Sequence, residues 1–181
     1  MAKLNLPPAT LKITEKDDEV TRVYDRLRRK PVALTPEEWV RQHFVDYLIN
    51  QLGYPEGLLA NEVNLTLNST QRRCDTVLFA PAGYARYLTG AAELGNLRPV
   101  MIIEYKGPRV KITQQVFDQA ARYNLVMGAP FIVVSNGMVH YCCVADGDSY
   151  RFLPAIPTYR ELLNIITPSS SSMRADENIK I

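Results

Sequence analysis

The sequence predicts an α/β sheet protein, and three observations carry that reading. An amphipathic helix opens at Thr35-Pro36-Glu37-Glu38, where Trp39, Val40, Phe44, Tyr47 and Leu48 recur at helical spacing. A run of period-2 alternation follows in NEVNLTLN, with Val63, Leu65 and Leu67 set against Glu62, Asn64 and Thr66. Finally, an apolar strand over Val100–Lys106, a helix over Ile112–Met127 and a second apolar strand over Phe131–Ser135 form one strand–helix–strand crossover.

Taken in order, residues 1–19 read as an N-terminal arm, and 20–166 as one folded domain. Residues 167–181, opening with a serine run, read as a loose tail. Short strands are expected around Leu11–Thr14 and Val20–Tyr24, followed by a basic run of Arg26, Arg28, Arg29 and Lys30. Thr35 suits an N-cap, Pro36 the first helical position, and Glu38 a capping box; the helix ends before Gly53. Asn68-Ser69-Thr70 turns the chain into a strand over Arg72–Phe79, and the long excursion from Ala80 to Pro99 reads as a hairpin loop. Val116, Ala120, Tyr123 and Met127 share one face of the next helix. Asn136-Gly137 signals a hairpin between Phe131–Ser135 and Met138–Val144. A strand near Tyr150–Leu153 and a helix near Thr158–Ile166 complete the domain.

Length and composition narrow the function. With 181 residues, 46% apolar and 22% charged, the chain fits one domain with a proper core. A net charge of +2 creates no global field, so a nucleic-acid partner has to be argued from local clusters. Cys74, Cys142 and Cys143 form no CxxC pair, and His43 and His140 are the only histidines, so neither zinc nor a disulfide framework is indicated. His43 reads as a partly exposed helix histidine. With no signal peptide and no apolar run near the roughly 18 residues of a membrane helix, a cytoplasmic protein is expected.

The stretch MIIEYKGP, Met101 to Pro108, holds the chemistry. Residues two apart on a strand share a face, so Glu104 and Lys106 project together from the end of an apolar strand. Asp75 occupies the polar entry of the preceding strand, and adjacent strands can bring it beside Glu104. Two close carboxylates call for a proton or a cation, and two carboxylates completed by water and phosphate suit Mg²⁺. A neighbouring lysine can position a water or stabilise charge on a phosphoryl group.

Asp75 followed by Glu104-Tyr105-Lys106 resembles the D…ExK core of the PD-(D/E)xK nuclease superfamily, with Cys74 at the proline position. Gln119 to Tyr123 matches the QxxxY element of that superfamily. More specifically, RVYDRLRRKPVALTPEEWVRQHFVDYLI, IEYKGPRVKITQQVFDQAARYN and PFIVVSNGMVHYC resemble the N-terminal nuclease domain of type I restriction enzyme R subunits, over roughly residues 20–160.

The resemblance implies a restriction-endonuclease-like fold, a central mixed sheet flanked by helices. It implies Mg²⁺-dependent hydrolysis of DNA phosphodiesters (Mn²⁺ substituting), with Asp75, Glu104, Lys106 and Gln119 catalytic and Asp75, Glu104 and Glu38 on the metal. Glu37 competes with Glu38 for the helix position, and Gln114 and Gln115 compete with Gln119. Arg72, Arg73, Arg109 and Lys111 form a basic rim for phosphates, which Arg26, Arg28, Arg29 and Lys30 extend, with Tyr123 beside it. The partners implied are DNA, restriction–modification subunits or a separate helicase or translocase, and a second copy as a homodimer. The competing reading is a non-catalytic DNA- or protein-binding module on the same fold.

Overall fold

The computed structural model of the chain describes residues 1–14, 20–67, 70–81, 84, 88, 97–147 and 149–167. The turn expected at Asn68-Ser69, most of the Ala80–Pro99 excursion and all but the first residue of the tail lie outside the described residues.

Helix α1 spans Pro36–Asn50, and the Thr35 hydroxyl accepts the Glu38 N–H at 3.0 Å. The expected capping box is only half built, because the Glu38 carboxylate turns to Arg28, Arg41 and Gln42 instead of back to the cap. Val40, Phe44 and Leu48 are fully buried as the spacing predicts, yet Arg41, Gln42 and His43 are buried as well. A small antiparallel sheet of β1 (Ile13–Thr14), β2 (Arg22–Asp25) and β3 (Lys30–Ala33), in the order β1-β2-β3, reaches this helix through its β2–β3 turn, where Arg26 meets Asp46 and Arg28 meets Glu38. The third strand was hidden in the sequence by its charge, since Lys30 and Pro31 look like loop.

The main sheet has six strands: β4 (Leu59–Leu67), β5 (Thr70–Phe79), β6 (Pro99–Tyr105), β7 (Phe131–Ser135), β8 (His140–Asp146) and β9 (Ser149–Leu153), in sequential order. The β6–β7 pair is parallel and the other pairs antiparallel, giving the expected mixed sheet. The crossover is helix α2 (Gln114–Met127), ended by Gly128 in the left-handed region. A final helix, α3 (Tyr159–Ile166), starts in a complete capping box between Thr158 and Glu161.

Pleat alternation separates two cores. Met101, Ile103 and Tyr105 pack with α1 and α3, whereas Ile102 packs with Val116, Ala120 and Met127 of α2. The fourth inward position on α2 belongs to Asn124, not to the half-buried Tyr123. Its amide holds the helix end by bonding Ala129 N–H and C=O, both at 2.8 Å.

The β7–β8 hairpin forms at Asn136-Gly137 with a loop of four residues, because the Asn136 carboxamide accepts both the Met138 and Val139 N–H groups at 2.9 Å. The first residues are stitched onto this hairpin and onto α1. Asn5 N–H bonds Gly137 C=O at 2.7 Å, and Trp39 Nε1–H bonds Ala2 C=O at 2.9 Å. Gly137 has φ +78°, the left-handed turn conformation that favours glycine, and the Leu4 side chain packs close against it. Among the described residues no helix is long and apolar enough to cross a membrane.

Candidate active site

The antiparallel register of β5 and β6 pairs Thr76 with Ile103, so the next step sets Asp75 beside Glu104 near the end of β6. Asp75 is held from two directions. Its Oδ1 accepts Arg41 Nη2 at 2.8 Å, and its Oδ2 accepts the Tyr105 backbone N–H at 2.8 Å. Glu104, 4% exposed, accepts Lys106 Nζ at 2.7 Å and Gln119 Nε2 at 2.6 Å on the same oxygen, Oε1. Gln119 also accepts Lys106 Nζ at 3.4 Å and donates to the Tyr123 hydroxyl at 3.1 Å. Lys106 lies one residue beyond β6, tied by its N–H to Ser135 C=O at 2.9 Å. Thus strand alternation and one turn of α2 bring Asp75, Glu104, Lys106, Gln119 and Tyr123 together.

Of the three rival glutamines, Gln119 alone joins this cluster; Gln114 bonds Asp118 and Gln115 lines the neighbouring cleft. Of the two helix glutamates, Glu38 spends its oxygens on Arg28, Arg41 and Gln42. Glu37 is the one whose field reaches Glu104 and Lys106. Glu38 is thus committed to its partners, while the geometric contact of Glu37 is with Arg41 at 3.5 Å.

Burial, then the field of Asp75, pushes the Glu104 carboxyl up to about 7 despite the Lys106 contact. Glu37 is raised for the same two reasons. Burial opposes the charge on Lys106, but the Glu104 hydrogen bond and the surrounding carboxylates outweigh it and raise Lys106 above the ordinary lysine value. Lysine is therefore held protonated in a region of carboxylate excess.

Behind the cluster lies a residue that the sequence did not single out. Arg41, 4% exposed, contacts Glu38 and Glu62 at 2.7 Å, Asp75 at 2.8 Å and Glu37 at 3.5 Å, and stacks over the Tyr105 ring at 5.7 Å. Glu62 sits in β4 between the pairs Asn61–Thr76 and Val63–Cys74, across from Asp75. Its φ is +60°, unusual for a strand residue other than glycine, and its carboxylate meets Arg41, Arg73 and Arg28. The available signal was local: Arg41 stands one turn after Glu37-Glu38, in the middle of an apolar helix pattern.

The basic rim divides. Arg72 and Tyr123 line an open cleft of about 530 Å³ with Gln115, Gln119 and Arg122. Arg73 is instead paired with Glu62. Arg109 belongs to a separate, more apolar cleft of about 670 Å³ with Met1, Ala2, Pro36 and Trp39, and Lys111 is exposed on the same loop. Arg26 and Arg28 do not extend the rim, because Arg26 pairs with Glu56 and Arg28 with Asp25 and Glu38. His43 is buried, not partly exposed: its Nδ1 meets Trp39 C=O at 2.9 Å and its ring lies 4.0 Å from the indole. All three cysteines are free and buried, and burial raises each thiol above its ordinary value.

Asp75 and Glu104 are the carboxylates available to a hard cation. Among the described residues no group of three His, Cys, Asp or Glu side chains is arranged to hold a metal. Two carboxylates with waters is, however, the usual donor set of Mg²⁺ on phosphate substrates, so the residues fit that ion and not a protein-caged one.

Residues 36–157, from the start of α1 past the end of β9, match the family model described as type I restriction enzyme R protein N terminus. No curated protein matches the chain.

Proposed function

The chain belongs to the family of type I restriction enzyme R protein N termini, and on that premise we propose that it is a Mg²⁺-dependent deoxyribonuclease domain hydrolysing DNA phosphodiesters. The observation that carries this reading is the junction of Glu104, Lys106 and Gln119 beside Asp75, at the mouth of a cleft lined by arginine.

Asp75 and Glu104 would hold the metal, which when bound polarises a phosphoryl oxygen and acidifies water. Each protein group then has a role that follows from its contacts. Arg41 and the Tyr105 N–H fix the Asp75 carboxylate, so its orientation does not depend on substrate. Gln119 locks Glu104 and Lys106 to one another, which sets the lysine head relative to the scissile phosphate. Because Lys106 is held charged, it acts as a donor to a phosphoryl oxygen or an attacking water, not as the group that removes a proton. Its ammonium has three N–H bonds, and the two contacts just described leave one for that task. The proposed partners are DNA and subunits of a restriction–modification assembly or a translocase, in the cytoplasm, with a second copy to cut the opposite strand.

The test is cleavage of plasmid and single-stranded DNA with Mg²⁺ or Mn²⁺, alongside Asp75→Ala and Lys106→Ala. Each substitution is expected to lower cleavage by about 100-fold or more, the scale of one lost electrostatic group in a preorganised site. Undiminished cleavage in both variants sinks this mechanism.

A second reading has its own support. Arg41 and Lys106 already neutralise part of each carboxylate, which is how a fold that grips DNA without cutting would look. It predicts salt-sensitive DNA binding with no metal-dependent heat of binding.

A further inference from the structure

We propose that the cleft between the start of β5 and the outer face of α2 is the path of a single DNA strand leaving the candidate active site, with Arg72 and Arg122 gripping its phosphates and Tyr123 supporting a base or sugar. This deepens the nuclease reading and rests on it for the position of the scissile phosphate.

Three observations place the strand there. First, Gln119 belongs both to the Glu104–Lys106 cluster and to the lining of the cleft, so the cleft opens directly onto that cluster. Second, its two arginines are uncommitted. Arg26, Arg28, Arg41, Arg73 and Arg151 all face carboxylates, whereas Arg72 and Arg122 have no carboxylate partner among the described residues. Arg122 spends only its Nε, on the Asp118 backbone carbonyl at 3.1 Å, which leaves both terminal amino groups of the guanidinium outward. The nearby Asp118 carboxylate is taken up by the Gln114 amide at 2.9 Å. Third, the Tyr123 hydroxyl is anchored on Gln119, which fixes a half-buried ring as a wall of the cleft.

Phosphate-binding cations with an aromatic wall on one side of an open cleft are the elements of single-strand recognition, where backbone charge supplies affinity and the ring is sequence-tolerant. A duplex would need cations on both sides of the site. Arg109 belongs instead to a separate, more apolar cleft partly formed by Met1 and Ala2.

The experiment measures binding of a fluorescent 20-nucleotide single strand, and of its duplex, to the full chain in EDTA across a salt series. The proteins compared are wild type, Arg72→Gln/Arg122→Gln, and Arg160→Gln as an exposed-arginine control on α3. Each single-strand phosphate contact contributes about 0.7 to the slope of log K against log salt, so the double variant should lose roughly 1.4 and bind on the order of tenfold more weakly at 0.1 M salt. In Mg²⁺ its KM for cleavage should rise in the same proportion, with kcat within about twofold of wild type. An unchanged slope, a loss confined to the duplex, or an equal loss in Arg160→Gln overturns the assignment. If no variant cleaves but the slope still falls, the strand path stands and the hydrolytic reading fails. If cleavage depends on Lys106 while the slope does not move, the reverse holds.

Discussion

Replacing Arg41 by methionine is the sharpest test of how the site is held. The guanidinium is 4% exposed and contacts Glu38, Glu62 and Asp75 within 2.8 Å. Methionine keeps much of the volume and removes the charge. Breaking a buried ionic network from one side costs about 3–5 kcal/mol, because the carboxylates stay behind without compensation. Here each carboxylate retains another donor: Glu38 keeps Arg28, Glu62 keeps Arg73, and Asp75 keeps the Tyr105 N–H. The lower end, about 3 kcal/mol, is therefore expected. For a chain of this size that corresponds to a drop in Tm of roughly 6–12 °C. Urea unfolding of wild type and Arg41→Met at pH 8 measures the loss, and adding Glu62→Gln to Arg41→Met should recover part of it, because one of the carboxylates left uncompensated is then removed. A cost below about 1 kcal/mol refutes the argument.

Two further outcomes follow from the same geometry. Glu104, raised to about 7 from an ordinary value near 4.5, binds its proton more tightly in the folded state, so its stabilising contribution is full below about 4.5 and is lost as pH rises through about 7. Glu104→Gln should remove that slope, on the order of 3 kcal/mol in difference from wild type across the window, and parallel unfolding curves for the two proteins would contradict it. At Glu62, where φ is +60°, glycine should be more stable than alanine by about 1 kcal/mol, since both remove the carboxylate and only alanine retains the backbone strain. Equal stability of the two variants would remove strain from the account.

What the sequence disclosed, and what it hid, divides by range. The crossover β6–α2–β7 was legible because apolar runs and helical spacing are local signals, and so was the meeting of Glu104 with Lys106, which needs only the pleat. Gln119 was legible through its family pattern and through sharing a helix face with Tyr123. Arg41 and Glu62 were not, because their meaning lies in partners from β4, β5 and α1 that come together only on folding. The same failure explains Arg28, read as exposed charge but tied to Asp25 and Glu38, and Glu38 itself, for which a capping box was the adequate local explanation. His43 was misjudged because Trp39 shields it along its own helix.

These misses share a cause that bears on function. Glu104 and Lys106 stand at the end of β6, where the apolar pattern breaks visibly, whereas Asp75 and Gln119 lie within β5 and α2 and were found through the family pattern. The residues that aim them are buried inside elements, where charge interrupts an apolar face without announcing why. Arg41 illustrates the consequence. Its contacts to Asp75 and to both helix glutamates make it a positioning residue, one that fixes the direction of a carboxylate and its charge without touching DNA. A lysine there would carry the charge but not the planar fork that reaches Glu38, Glu62 and Asp75 together. Arg41→Lys is thus the variant in which the two roles separate: partial retention of stability with loss of Asp75 alignment, and hence a fall in kcat larger than the change in DNA affinity.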